Sequence, residues 1–314
     1  MNASNLTINS TTTLWEAYAV PLLFWYCLMV LLCVLGTLSS LAVLLAILAS
    51  RKLRAGSGAL IANFLVGITV QCAVFLPLFT ASVAGVPLSC PATFFPYFLL
   101  NKVISLADMM IGINRFIAIC FPYRYSLFTT ARVLTTMILL PWGVALIYSL
   151  FLLLGVSGRF EPLPPWHACG TTFFSAAASF TSTLIGVIVP IGTLGVLFVA
   201  MFGVMGVRRW MGGEREGGKD AARMQALRRK RYQSVRMLFV AYVLYSACFM
   251  PTQIASSLFS RQFQTDPLLQ LLFRAVALLG YATVPRSVID LYFPILTVNA
   301  SSAAAPAHLE VASI

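Results

Sequence analysis

Residues 22–49 read LLFWYCLMVLLCVLGTLSSLAVLLAILA, without one charged side chain. About 20 consecutive apolar residues suffice for a helix to cross the hydrocarbon core of a bilayer, and this run exceeds that length. Comparable runs follow near 59–84, 92–120, 133–155, 179–207, 236–258 and 268–296, the third being the most polar of the set. A transmembrane β-barrel is built from short strands of alternating polarity, whereas these runs are long and continuous. The expected fold class is an all-α integral membrane protein, a seven-transmembrane-helix bundle.

Composition points to the same solvent. Of 314 residues 60% are hydrophobic and only 10% charged, against roughly a quarter charged in soluble domains. The formal charge of +12 is concentrated between apolar runs: Arg51, Lys52 and Arg54, then Arg115, Arg124 and Arg132, then a dense set from Arg208 to Arg236 that includes Arg228-Arg229-Lys230-Arg231. The opposite loops hold little beyond Arg159, Arg261 and Arg274. Basic loops stay on the cytoplasmic side and meet anionic membrane lipid, so seven spans put the N-terminus outside. No soluble domain is left over to bind nucleic acid.

The first residues support that orientation. They lack the basic start of a signal peptide but hold the sequons Asn2-Ala3-Ser4, Asn5-Leu6-Thr7 and Asn9-Ser10-Thr11, which mark Asn2, Asn5 and Asn9 for glycosylation in a lumenal segment. The expected organisation is an extracellular N-terminus over 1–21, a helical domain over 22–296 with a basic inner loop at 208–235, and a short cytoplasmic tail over 297–314. Seven cysteines do not make a full disulfide framework. Cys27, Cys33, Cys72, Cys120 and Cys248 fall in apolar runs as small packing residues. Cys90 and Cys169 fall in outer segments, where oxidation is permitted.

After the third run stands Asn114-Arg115-Phe116-Ile117-Ala118-Ile119-Cys120-Phe121-Pro122-Tyr123-Arg124-Tyr125. This resembles the end of the third helix in rhodopsin-like (class A) G-protein-coupled receptors, where Asp-Arg-Tyr precedes a short apolar run, Cys and Pro. Asn114, Arg115, Phe116 and Pro122 occupy those positions, and Cys90 precedes Arg115 at the spacing of the family's outer cysteine. Cys169 resembles its disulfide partner, Trp142 the fourth-helix tryptophan and Pro190 the fifth-helix proline. Cys248-Phe249-Met250-Pro251 resembles the sixth-helix Cys-Trp-x-Pro. The likeness runs from about residue 30 to 293. It implies a plasma-membrane, multi-pass receptor that transduces signals to a heterotrimeric G protein, with Arg115 lining the cavity that receives it. Pro251 frees a backbone carbonyl and lets the sixth helix bend.

The departures carry expectations too. The family's buried aspartate of the second helix falls on Ile68, so the usual sodium site is expected to be missing. Asn114 replaces the acid that pairs with the arginine, which leaves Arg115 less restrained, and Arg231 stands where some relatives place a second acid. Ile289-Asp290-Leu291-Tyr292-Phe293-Pro294 departs from Asn-Pro-x-x-Tyr. Ionisable residues within spans are functional candidates, and Asp108, Arg286 and Asp290 are expected to form a polar core, with Arg286 and Asp290 at i and i+4.

For the ligand, the position of the amine-binding aspartate falls on Tyr97, which argues against a biogenic amine. Tyr97, Asn101, Lys102, Phe249, Thr252 and Gln253 are the expected pocket for a small molecule, with His167 or Glu161 as a lid from the outer loop. Pro122-Tyr123-Arg124-Tyr125-Ser126 resembles the second inner loop of odorant receptors, which makes odorant-type chemoreception the leading subtype. An enzyme finds no support: no HExxH, GxSxG, P-loop or zinc spacing occurs, and the histidines are His167 and His308. No cofactor and no metal are expected. A receptor-like protein that does not couple is the main alternative, ahead of a small transporter, for which inverted repeats are lacking.

Overall fold

The computed structural model describes residues 16–50, 57–121, 123, 125–164, 166, 168–211, 235–236, 239–240, 242–244, 246–252, 266–277 and 279–280. Among them, five helices are long and apolar enough to cross a bilayer: α1 (Ala19–Ala49), α2 (Gly58–Val83), α3 (Cys90–Cys120), α4 (Ala131–Leu153) and α5 (Ala176–Val207). Each begins one to three residues before its apolar run. Ser175 caps α5 by accepting a hydrogen bond from the Ala178 amide at 3.1 Å. The described residues of the sixth run are helical between 235 and 252, and the seventh run begins with the helix Pro267–Ala277.

Two prolines shape the helices in the same way. Pro77 and Pro190 have no N–H to donate. The residue before each reaches back five positions instead of four: Leu76 N–H to Gln71 O, and Val189 N–H to Leu184 O. The result is one widened π turn in α2 (Gln71–Phe75) and one in α5 (Leu184–Ile188). Such turns break the regular i→i−4 ladder and occur often at functional sites.

Packing explains why the third run is the most polar. α3 lies against α2, α4 and α5, and it buries Lys102, Ser105 and Asn114 along with its apolar residues. A helix surrounded by protein need not be dressed for lipid. α1 is the contrast: Leu31, Leu38 and Leu45 are exposed, whereas Met29 and Ile47 are buried. Between helices, where lipid supplies no hydrophobic drive, close packing and hydrogen bonds hold the bundle. Trp142 Nε1 donates to Asn63 Oδ1 at 3.2 Å, Thr69 Oγ1 to Ser40 Oγ at 2.9 Å, and Trp25 Nε1 to the Leu271 carbonyl at 3.0 Å.

The loop between α4 and α5 adds an element that apolar periodicity did not reveal. It folds into an antiparallel hairpin of β1 (Gly158–Leu163) and β2 (Ala168–Phe173), with Pro162 opposite Cys169. Cys169 is joined to Cys90 at the start of α3, Cα to Cα 5.3 Å. Gly158 lets the strands approach: a Cβ there would lie 2.2 Å from the Thr172 carbonyl oxygen and 3.1 Å from Phe173 Cα. Backbone cannot yield as a side-chain tip does. Gly158→Ala is therefore expected to lower stability by about 1–3 kcal/mol, read as a drop in the thermal unfolding midpoint of the purified protein. An unchanged midpoint would mean that the strands part without cost.

Candidate functional site

The hairpin caps the end of the bundle that carries the disulfide, which is the outer end. Phe160 of β1 packs against Phe94, Phe95 and Phe98 of α3, with ring centroids 5.8, 6.4 and 6.0 Å away. In the turn between the strands, Trp166 is buried. Its Nε1 donates to the Pro267 carbonyl at 3.2 Å, and Gln270 Nε2 donates back to the Pro164 carbonyl at 3.2 Å. The hairpin thus bridges α3 and the start of the seventh run. Such a lid excludes water and strengthens every electrostatic contact beneath it.

Beneath the cap lies a cavity of about 20 Å³, lined by Asn101, Lys102, Ser105, Gly186, Val187, Ile191 and Phe249. That is room for one or two waters, so the site is contracted. The widened turn of α5 organises it. Pro190 leaves the Gly186 carbonyl without its helical donor, and Ser105 Oγ donates to that carbonyl at 2.8 Å. Lys102 is buried. Its Nζ donates to the Ser182 carbonyl at 2.8 Å and lies 5.0 Å from the centroid of Phe98. The lysine fits because residue 186 has no side chain: a Cβ there would stand 2.0 Å from Nζ.

Phe249 brings the sixth run to the cavity. It is buried, and a Cβ on Gly280 would lie 2.6 Å from its ring. Thr252 Oγ1 donates to the Phe273 carbonyl at 3.0 Å, which ties the sixth run to the seventh just past Pro251. Deeper, Tyr242 OH donates to the Ile191 carbonyl at 3.1 Å, and Phe198, Phe202, Phe239 and Tyr242 form an aromatic seam between α5 and the sixth run. At the inner end of α3, Asn114 is buried, and among the described residues neither its amide oxygen nor its nitrogen has a hydrogen-bond partner. Arg115 beside it is half-buried. Phe116 meets Phe121 edge-on at 6.0 Å.

The expected pocket is thus only partly gathered. Asn101, Lys102 and Phe249 line the cavity. Tyr97 does not: it stacks on Phe79 at 5.5 Å, one helical turn above Asn101. Thr252 spends its hydroxyl on the seventh run, and Glu161 pairs with Arg159 across β1. Ile68 is fully buried in the apolar core. Asp108 lies half-buried on α3. Asn2, Asn5, Asn9, Pro122, His167, Gln253, Arg286 and Asp290 lie outside the described residues. Three functional candidates were missed. Ser105 and Gly186 were signalled by Pro190, whose missing N–H implies a free carbonyl four residues earlier. Arg274, counted with the outer-loop cations although the run 268–296 contains it, belongs to the helix Pro267–Ala277, with its guanidinium carbon 4.9 Å from the centroid of Phe79.

Comparison with known proteins places this geometry. Residues 39–284 match the family model for the seven-transmembrane receptor (rhodopsin family). The growth hormone secretagogue receptor type 1 of Mus musculus is 28% identical over 167 residues, which is 50% of this chain and 43% of that receptor. Its Homo sapiens counterpart is 27% identical over 168 residues, again 50% and 43%. The aligned segment spans less than half the length of these relatives. The family match, in contrast, takes in the end of α1, all of α2 to α5, the sixth run and the first part of the seventh. By that match the chain belongs to the rhodopsin family of seven-transmembrane receptors, multi-pass proteins of the plasma membrane.

Proposed function

We propose that this receptor binds a small, non-aminergic ligand beneath the outer hairpin and activates a heterotrimeric G protein. The observation that carries this is the composition of the cavity. Its walls come from α3, from the widened turn of α5 and, through Phe249, from the sixth run two residues before Pro251. A ligand that enlarges this cavity pushes directly on the element whose proline permits a bend. Ligand sites between bundle helices have this character, largely apolar with a few polar groups. Tyr97 supports the non-aminergic reading, and the 122–126 motif supports a chemosensory ligand. Glycosylation at Asn2, Asn5 and Asn9 accords with an outer N-terminus.

A non-coupling receptor is the second reading, favoured by Ile68 where the family carries an acid and by the departure of residues 289–294 from Asn-Pro-x-x-Tyr. Agonist-independent nucleotide exchange on a panel of G proteins separates the two. Wild type in membranes of verified surface expression is expected to show basal exchange, because no acid at position 114 restrains Arg115. Arg115→Ala is expected to bring that exchange down to the level of receptor-free membranes. Equal background in both proteins would favour the non-coupling reading.

A further inference from the structure

Two cations stand inside the outer half of the bundle, and no acid answers them among the described residues. Lys102 reaches only the Ser182 carbonyl and the Phe98 ring. Arg274 lies on Phe79, the ring on which Tyr97 stacks, and its buried Nη1 has no hydrogen-bond partner among the described residues. The described acids are engaged or elsewhere. Glu161 pairs with Arg159, and Asp266 accepts from the Leu268 and Leu269 amides that begin its own helix. Asp108 follows Lys102 by six residues on α3, which puts it about 9 Å deeper and a third of a turn around the axis.

We infer that the ligand of this receptor is an anion, a carboxylate whose oxygens are held by Arg274, with Lys102 lending a second positive charge from another face of α3. The inference rests on the ligand-binding reading of this half of the bundle. A guanidinium presents paired N–H groups that match a carboxylate, and Nη1 is a donor left unused. Lys102 has spent one of its three N–H groups on Ser182. Tyr97 shares Phe79 with Arg274 and precedes Lys102 on α3 by about 7.5 Å along the axis and about 140° around it, so the lysine adds its field from another face of α3 and makes no direct contact with an anion on Arg274. Charges within membrane helices pair with each other or mark a ligand path. Among the described residues neither has an acidic partner, and a ligand anion supplies one.

The test uses the full chain in lipid nanodiscs, with benzoate as probe and benzamide as its uncharged twin at constant ionic strength. Benzoate is expected to raise the unfolding midpoint saturably, by about 3 °C at high occupancy, and benzamide to do so far less. Arg274→Met is expected to hold or raise the ligand-free midpoint, because it removes a half-buried charge that no described acid balances. It should also raise the half-saturating benzoate concentration about tenfold or more, with a smaller rise for Lys102→Met. A lowered ligand-free midpoint in Arg274→Met with an unaltered benzoate response would overturn the inference, as would the absence of any benzoate shift in wild type. Equal shifts by benzoate and benzamide would overturn the anionic ligand and leave the ligand-binding reading standing. Basal nucleotide exchange, measured on the same preparations, reports on the receptor reading separately.

Discussion

Replacing Cys90 or Cys169 by serine is expected to remove most of the receptor from the cell surface and to cost about 2–5 kcal/mol of stability. The bond closes a sequence separation of 79 residues, and long closed loops are where a cross-link restricts the unfolded chain most. Its loss also acts on the folded side. Cys169 is the point at which β2 is fastened to α3. Without it, only side-chain packing holds Phe160 among Phe94, Phe95 and Phe98, and Trp166 keeps its bond to Pro267 by local order alone. Surface staining of Cys90→Ser, Cys169→Ser and the double variant checks this, with unfolding midpoints taken with and without reductant. All three should lose alike, and reductant should bring wild type down to them. Wild-type surface levels in the single variants would show that aromatic packing suffices to hold the cap.

The helices were legible because lipid imposes a simple rule: every backbone polar group must be satisfied internally over a span of fixed length. Residues 22–49 state that rule by themselves. Helix ends were less legible, since capping residues such as Ser175 are polar and fall outside any hydropathy window. The hairpin was not legible at all. Its strands are short, and Gly158-Arg159-Phe160-Glu161-Pro162-Leu163 buries only Gly158 and Phe160. What fixes it is a bond to Cys90 and a tryptophan reaching Pro267, both distant in sequence.

The site divides along the same line. Lys102 and Phe249 were legible as an intramembrane charge and as the residue two places before a helical proline. Their partners were not, because the cavity is made by backbone. The carbonyls of Ser182 and Gly186 take the lysine and Ser105, and a carbonyl has no letter in a sequence. Pro190 was the available clue. Arg274 was misplaced because a basic residue near an outer boundary reads as loop, whereas the helix Pro267–Ala277 carries it inward against Phe79.

That backbone-made site gives the second large effect. Gly186→Ala is expected to destabilise the receptor by about 3 kcal/mol, a large loss for a single methyl group. The new Cβ would stand 2.0 Å from Lys102 Nζ, 2.7 Å from Cδ and 2.8 Å from Cε. It meets the lysine along its stem, so turning the terminal bond gives no relief. The ammonium must leave the Ser182 carbonyl while still buried, and a buried charge without its acceptor is among the costliest defects a core can carry. Lys102→Ala alone has a different cost, since it empties space and orphans that carbonyl. In the double variant the methyl group enters the space the lysine has vacated. The two losses should therefore fail to add, with a favourable coupling of about 1–3 kcal/mol in a double-mutant cycle on unfolding midpoints. Additive losses, within about 0.5 kcal/mol, would mean that Lys102 does not lie over Gly186. They would also remove the lysine from the wall of the cavity that Phe249 closes.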